Sequence, residues 1–260
     1  MLEPLQYLLG AGSGVLIGFT LGLVGGGGSI LAVPLMVYLV GVPSAHVAIG
    51  TSALAVAANA ATGLISHARA GTVKWRCGGM YAAAGVIGAL AGSTLGKAVD
   101  GQQLLVLFAL LMVAIGVLML RKRTREDRPD VQCNRTNAPK VLGFGLGTGA
   151  FSGFFGIGGG FLIVPGLIAS TGMPMISAVG TSLIAVAAFG LTTALNYAVS
   201  GLIDWPLAAV FVGGGLLGGV VGTRAAGRLA DSGKLSRVFA VLILVVAGYM
   251  LWRSAAAFTG

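Results

Sequence analysis

Two runs of glycine are the residues in this chain best suited to hold a solute. Gly25, Gly26, Gly27 and Gly28 precede Ser29 and lead to Pro34, while Gly156, Gly158, Gly159 and Gly160 lead to Pro165. The segments GGGGSILAVP and GIGGGFLIVP are near copies set 131 positions apart. Neither contains an ionisable side chain, so whatever chemistry they do belongs to the backbone. A helix that starts after such a run leaves its first amides without an internal acceptor, and its aligned peptide dipoles put partial positive charge there. Glycine has no Cβ to hold a solute away, so the pattern predicts an anion site built from N–H groups.

A second repeated motif follows each run. Gly50-Thr51-Ser52 recurs as Gly180-Thr181-Ser182, and Gly71 to Trp75 recurs as Gly201 to Trp205, both offset by 130. At helical spacing Ser52, Ala55, Asn59, Thr62 and Ser66 share a face, matched by Ser182, Ala185, Phe189, Thr192 and Asn196. Thr51, Ser52, Asn59, Thr181 and Ser182 therefore join Ser29 and the glycines as candidate solute-binding residues. Asn59 meets only Phe189 in the equivalent slot, which confines any role for it to one half. Thr62 and Thr192 are equally well explained by hydrogen bonds between helices.

The elements that must position these residues are membrane spans. The chain has 260 residues, 56% of them hydrophobic and 9% charged, and a mean hydropathy of +0.96, too apolar for a water-facing surface. Charges fall in short windows separated by apolar runs of roughly 20 residues, about what a helix needs to cross ~30 Å of hydrocarbon. Apolar segments are expected at 5–24, 28–41, 44–66, 77–97 and 102–120, and again at 141–156, 159–172, 175–199, 206–227 and 235–252. Residues 1–120 and 141–260 form two transmembrane repeats, joined by a basic linker at 121–140. The segments after the glycine runs are only ~14 residues, or ~21 Å as helix, and so read as half-helices that begin within the bilayer.

Charge placement predicts how the repeats lie, because short cytoplasmic loops carry the excess of Lys and Arg. The linker holds seven basic residues and is placed inside, as is the 67–76 loop with Arg69, Lys74 and Arg76. If each glycine-broken pair made one crossing, Arg224, Arg228, Lys234 and Arg237 would lie outside, and the 200–205 loop, which has no basic residue, would lie inside. If each pair enters and returns to the same side, the second copy is inverted and both loops fall correctly. The sequence thus predicts an all-α, polytopic integral membrane protein of two inverted repeats, each a glycine-broken helical hairpin plus three spanning helices. The linker is then cytoplasmic and both termini outside. Trp75 and Trp205 sit at equivalent edges as aromatic anchors.

Several function classes are excluded. The net charge of +9 lies at segment ends, where it meets headgroups and sets topology, so nucleic acid is not implied. No phosphate-binding GK[ST] occurs, and Gly156-Ile157-Gly158 is followed by Phe161 where a dinucleotide fingerprint needs its third glycine. No nucleophile with a base, metal cluster or buried acid is visible, so neither an enzyme nor a cofactor is expected. No Asp, Glu, Lys or Arg lies within a span away from its ends, where Lys97, Arg224 and Arg237 fall, and His46 and His67 lie near helix ends as interfacial residues. Cys77 and Cys133, 56 positions apart, are expected as free thiols. The first apolar run lacks a basic leader and is expected to be retained as structure. Glycines four apart, at 14, 18 and 22, at 88, 92 and 96, and at 214, 218 and 222, predict close helix packing.

The ordered motifs GFTLGLVGGGGSILAVPLMVYLVGVP with AIGTS, then GFFGIGGGFLIVPGLI with AVGTS, resemble the sulfite exporter TauE/SafE family of membrane permeases over almost the whole chain. The resemblance implies a permease for a small sulfur-containing anion such as sulfite, thiosulfate, a sulfonate or an organosulfonate, in a bacterial inner membrane. It places the family's glycine-proline motif and GTS triplets on the candidate residues above. Ser29 departs from the second half, which has Gly160 there, and offers a hydroxyl to an anion. No cysteine lies near the glycine breaks to support persulfide chemistry. The partners implied are the anionic solute and membrane lipid, with a coupling proton or sodium ion and an oligomeric state left open. The competing expectation is a non-transporting membrane scaffold or assembly protein whose small-residue faces merely dock helices.

Overall fold

A computed structural model describes residues 3–120, 133, 137–158, 160–229 and 234–259, and every regular element among them is helical. Helix α1 (Pro4–Val24) runs into a 3-10 helix over Gly25–Leu31, a single turn α2 (Ala32–Pro34), and a π-helical turn over Leu35–Leu39. Pro34 has no amide to donate, and the wider turn follows it directly, closed by Val40 N–H to Leu35 O at 2.9 Å. This stretch doubles back on α1. A Cβ on Gly28 would lie 2.5 Å from Leu21 N, and Gln6 Nε2 at the start of α1 donates to Val40 O at 3.0 Å. The chain therefore returns to the end of the bundle at which it began.

Three long helices follow: α3 (Ala45–Arg69), α4 (Trp75–Ala98) and α5 (Gly101–Leu120). Ser44 caps α3 by accepting from Val47 N, and Asp100 Oδ1 caps α5 by accepting from Gln102 N at 2.9 Å. The second half repeats the order with α6 (Ala138–Phe155), α7 (Gly160–Thr171), α8 (Met175–Val199), α9 (Trp205–Leu229) and α10 (Lys234–Thr259). These bounds follow the apolar segments read from sequence to within about three residues, except that α10 runs on to Thr259 where 252 was expected; the first return segment spans 25–39 where 28–41 was expected. Its glycines wind into the helix and lengthen it.

Packing exchanges the halves. Helix α1 lies along α9 and α4 along α6, both pairs parallel, while the equivalent helices α3 and α8 cross antiparallel and α5 lies against α10. Glycine makes the parallel pairs close. A Cβ on Gly14, Gly18 or Gly22 would strike the backbone of Phe211, Gly215 or Thr223, and Gly88, Gly92 and Gly96 meet α6 backbone in the same way. In lipid no hydrophobic drive holds helices together, so this backbone approach is what supplies van der Waals attraction. The reading of the four-residue glycine spacing as packing is borne out. The antiparallel pair is fixed by Gly63 beside Leu183 and Gly190 beside Ala57.

Among the described residues six helices are long and apolar enough to cross a membrane by length and composition. Their outward faces carry large apolar side chains, among them Leu8, Ile87, Leu118, Leu195 and Leu217, as befits a surface in contact with lipid. Trp75 and Trp205 are exposed at the first turns of α4 and α9. The basic turn with Arg69 and Lys74, the start of α6 and the region of α9 around Thr223 gather at one end of the bundle. Residues 121–132 and 134–136 of the linker lie outside the described residues.

One expectation is corrected. Cys77 and Cys133 are not free thiols: they form a disulfide, with Cα atoms 5.4 Å apart and both residues buried. A separation in sequence says nothing about separation in space, and here the linker brings Cys133 back to the first turn of α4. Protease cleavage within the basic stretch 121–128 of the oxidised protein should therefore leave the two fragments joined. They should run as one band on a gel without reductant and as two with it; two bands in both lanes would deny the pairing.

Candidate functional site

The repeated GTS triplets turn out to join the halves. Thr51 Oγ1 accepts from Asp204 N at 3.0 Å, and its equivalent Thr181 Oγ1 accepts from Lys74 N at 2.9 Å. The preceding glycines let those turns approach: a Cβ on Gly50 would strike Leu202 O, and one on Gly180 would lie 2.6 Å from Thr72 Oγ1. Each α3 or α8 thus holds the amide that opens α9 or α4 of the other repeat. Ser52 and Ser182, also fully buried, donate to Ile49 O at 3.1 Å and Val179 O at 2.7 Å of their own helices. Thr181→Val should lower stability by about 1–2 kcal/mol, because it strands the half-buried amide of Lys74. An unchanged denaturation midpoint would show that water replaces the hydroxyl.

The glycine-rich segments belong to adjoining elements: the 3-10 segment Gly25–Leu31 packs against α7, which begins at Gly160. They differ in shape. Gly156 and Gly158 take left-handed backbone, at φ +66° and +63°, which glycine alone adopts without strain, whereas Gly25 to Gly28 stay wound as 3-10 helix. Gly156 closes α6, with Ile157 N–H donating back to Ser152 O at 3.3 Å. A Cβ on Gly156 would strike Ile49, and one on Gly158 would lie 2.8 Å from Val56 and 3.4 Å from Val186. Val56 and Val186 are equivalent positions of α3 and α8, so Gly158 sits between these two matched helices. Gly160 begins α7 and is buried, Ser29 is fully buried, and Gly159 lies outside the described residues.

Asn59 stands one helical turn beyond Val56, and there the interior is hollow. A cavity of about 280 Å³ between α1, α3 and α9 runs from Gly18 and Asn59 toward His67 and Thr223. That is at the small end of ligand pockets, roughly 300–1,000 Å³. Asn59 is 3% exposed, yet neither its Oδ1 nor its Nδ2 has a partner. A buried polar atom left unsatisfied costs about 1–3 kcal/mol, so the protein keeps this amide at the expense of stability. Such a group calls for a partner, either an ordered water or a bound solute.

The other repeat shows the same place filled. Phe189, equivalent to Asn59, presses its ring on Gly85, while Asn59 faces Gly215, the equivalent of Gly85. Phe189 stacks on Tyr81 at 6.4 Å between centroids. Farther along α8, Asn196 spends its amide on Ser93 and Thr94 and receives Lys97 Nζ at 2.9 Å. The polar face of α3 lines a cavity, and that of α8 is sealed against α4. His67 and Thr223 were not among the residues singled out from sequence as binding candidates. The signal available for them was position on the Asn59 face and on the facing glycine helix. A wider hollow of about 720 Å³ opens at the opposite end, lined by Tyr38, Ser44, His46 and Arg253 among others.

The profile of the Sulfite exporter TauE/SafE family matches residues 10–250, which takes in both glycine hairpins, both GTS latches and the cavity. The chain belongs to the TauE/SafE family. Among curated TauE/SafE-like relatives, a "Probable membrane transporter protein" of Xylella fastidiosa (strain 9a5c) is 52% identical over 94% of each chain. YdhB of Bacillus subtilis (strain 168), also named a probable membrane transporter protein, is 25% identical over 91% of this chain and 96% of its own. No solved structure matches the chain. TauE/SafE membership together with the apolar helices makes this a multi-pass membrane transporter.

Proposed function

We propose that this transporter is a permease for a small sulfur-containing anion, built as two inverted repeats, 1–120 and 141–260. The observation that carries the reading is the packing of one glycine-rich segment against the helix that follows the other, beside a cavity whose only fully buried amide is unpaired among the described residues. Uncharged donors suit an anion that must later be released: backbone N–H groups at the turns and Asn59 Nδ2 attract it without a fixed cation to trap it. The antiparallel crossing of the equivalent helices α3 and α8 supports inversion, as does the return of the first hairpin to its starting end.

The basic end of the bundle, with linker 121–140, faces the cytoplasm of a bacterial inner membrane, and both termini lie outside. The cavity then opens inward as far as Asn59, and Ile49, Val56 and Val186 close the path beyond. In that orientation Cys77 and Cys133 sit where cytosolic thiols keep cysteines reduced, so their bond belongs to the oxidised protein. The solute class is sulfite, thiosulfate, or a sulfonate or organosulfonate.

Ligand-dependent melting tests this. A solute that binds only the folded protein stabilises it by about 2.7 kcal/mol at a hundred times its Kd. At least one of sulfite, thiosulfate and methanesulfonate should raise the melting temperature of the purified protein, while chloride at equal ionic strength should not. No shift with any of them is the result a non-transporting scaffold would give.

A further inference from the structure

We propose that the cavity at Asn59 takes sulfite in its monoprotonated form, so that this anion enters with a proton of its own. The inference rests on the permease reading above and deepens it. It starts from the hydrogen-bond inventory of the lining, which is richer in acceptors than in donors. Thr62 Oγ1 donates its hydrogen to Asn59 O at 2.8 Å, and Thr223 Oγ1 donates to Gly219 O at 3.0 Å. Both hydroxyls therefore offer the cavity lone pairs only.

His67 follows the same pattern. Thr72 Oγ1 donates to His67 O at 3.1 Å, so the 3.0 Å contact between His67 Nδ1 and Thr72 Oγ1 needs the proton on Nδ1. In the neutral ring Nε2 is then an acceptor. Asn59 supplies one further acceptor, Oδ1, and the donor Nδ2, both unpartnered. Among the described residues no Lys or Arg lines the cavity.

A fully deprotonated dianion can use Nδ2 and the Ser66 hydroxyl but leaves its remaining oxygen against Oδ1 and the threonine lone pairs. Its desolvation also grows with the square of its charge, and no cation offsets it. A monoanion with one O–H satisfies both halves of the amide: a bare oxygen accepts from Nδ2, and the O–H donates to Oδ1. The equivalent place in the other repeat holds Phe189 and binds nothing, so one solute enters per chain.

The charged groups on the elements packed around His67 are basic: Arg69 on its own helix, Lys74 in the following turn, and Arg224 and Arg228 on α9. Near neutrality only His67 and the solute itself change protonation. The two are separable by comparing solutes. Sulfite is partly protonated near neutral pH, whereas thiosulfate and methanesulfonate are not.

The test measures the apparent Kd of sulfite and of methanesulfonate from pH 6 to 9 on the full-length protein, in the wild type and in His67→Gln. The expected result is a sulfite Kd that rises by about tenfold per pH unit above the second ionisation of sulfite. Methanesulfonate should show no such slope, and His67→Gln should keep the sulfite slope. Loss of Asn59's pair of bonds, in Asn59→Leu or in the smaller change Asn59→Thr, should weaken sulfite at least tenfold at pH 6. A sulfite Kd independent of pH overturns the proposal, as does tighter binding at high pH. A slope that disappears in His67→Gln also overturns it, because the histidine would then carry the proton. If neither anion nor thiosulfate binds at any pH, the permease reading itself has failed; if they bind without the sulfite slope, only this inference has.

Discussion

Asn59→Leu is expected to make the protein more stable and nearly unable to bind its solute. Leucine has a similar volume and brings no polar atoms, so it removes an amide that is 3% exposed and wholly unpaired. The gain is about 1–3 kcal/mol, or ~2–4 °C in melting temperature for each kcal/mol in a chain of this size. A hydrogen bond to a charged ligand contributes about 1.5–3 kcal/mol, so losing one raises Kd by roughly 10- to 150-fold. Opposite movements of stability and binding are the signature of a residue kept for function. Melting curves and anion titrations on the same preparation check both. A variant that is less stable and binds normally would make Asn59 a packing residue.

The second large effect is expected at the centre. Gly158→Leu should abolish transport while the protein still reaches the membrane. Its φ of +63° costs an L-residue about 1–2 kcal/mol, and the new side chain is driven into Val56 and Val186, adding ~1–3 kcal/mol of overpacking. Gly71 supplies the control, since it has φ +69° with nothing within 4 Å of a Cβ. Gly71→Ala carries the backbone cost alone and should transport at a rate within about twofold of wild type; strain of that size at the rim shifts stability and leaves the path unchanged. Equal loss of transport in both variants would mean that backbone strain, not occlusion of the junction, is responsible.

Much of this architecture could be read from residue order because the chain states it twice. The apolar segments gave helix bounds within a few residues, and the glycines at 14, 18 and 22 marked the face of α1 that meets α9. Spacing four apart is a local signal, and local signals survive without coordinates. The role of Thr51 and Thr181 was not local. Each grips an amide more than a hundred residues away, so a repeated hydroxyl could not be told from a solute ligand until its partner was seen. The same limit hid the Cys77–Cys133 bond.

The candidate site was legible in outline only. Asn59 stood out as a polar residue matched by Phe189, and in the structure the two meet equivalent glycines: Gly215 faces an unpaired buried amide and Gly85 a ring. The glycine runs looked equivalent on paper, yet one is wound as 3-10 helix and the other turns through two left-handed residues. Composition is nearly the same in the two runs, so the difference comes from what they pack against. The structure also separates residues that sequence grouped together. Asn59 lines the cavity, Gly156 and Gly158 sit at the closed junction above it, and Thr51 and Thr181 latch the repeats.

Uptake into proteoliposomes tests the central claim most directly, namely that the glycine junction and the Asn59 cavity form one path for a sulfur anion. Vesicles holding the wild-type chain should take up at least one of labelled sulfite, thiosulfate and methanesulfonate with saturation, and Asn59→Leu and Gly158→Leu vesicles should match empty ones. Wild-type uptake no faster than that of protein-free vesicles for all three anions, under proton and sodium gradients alike, would contradict it.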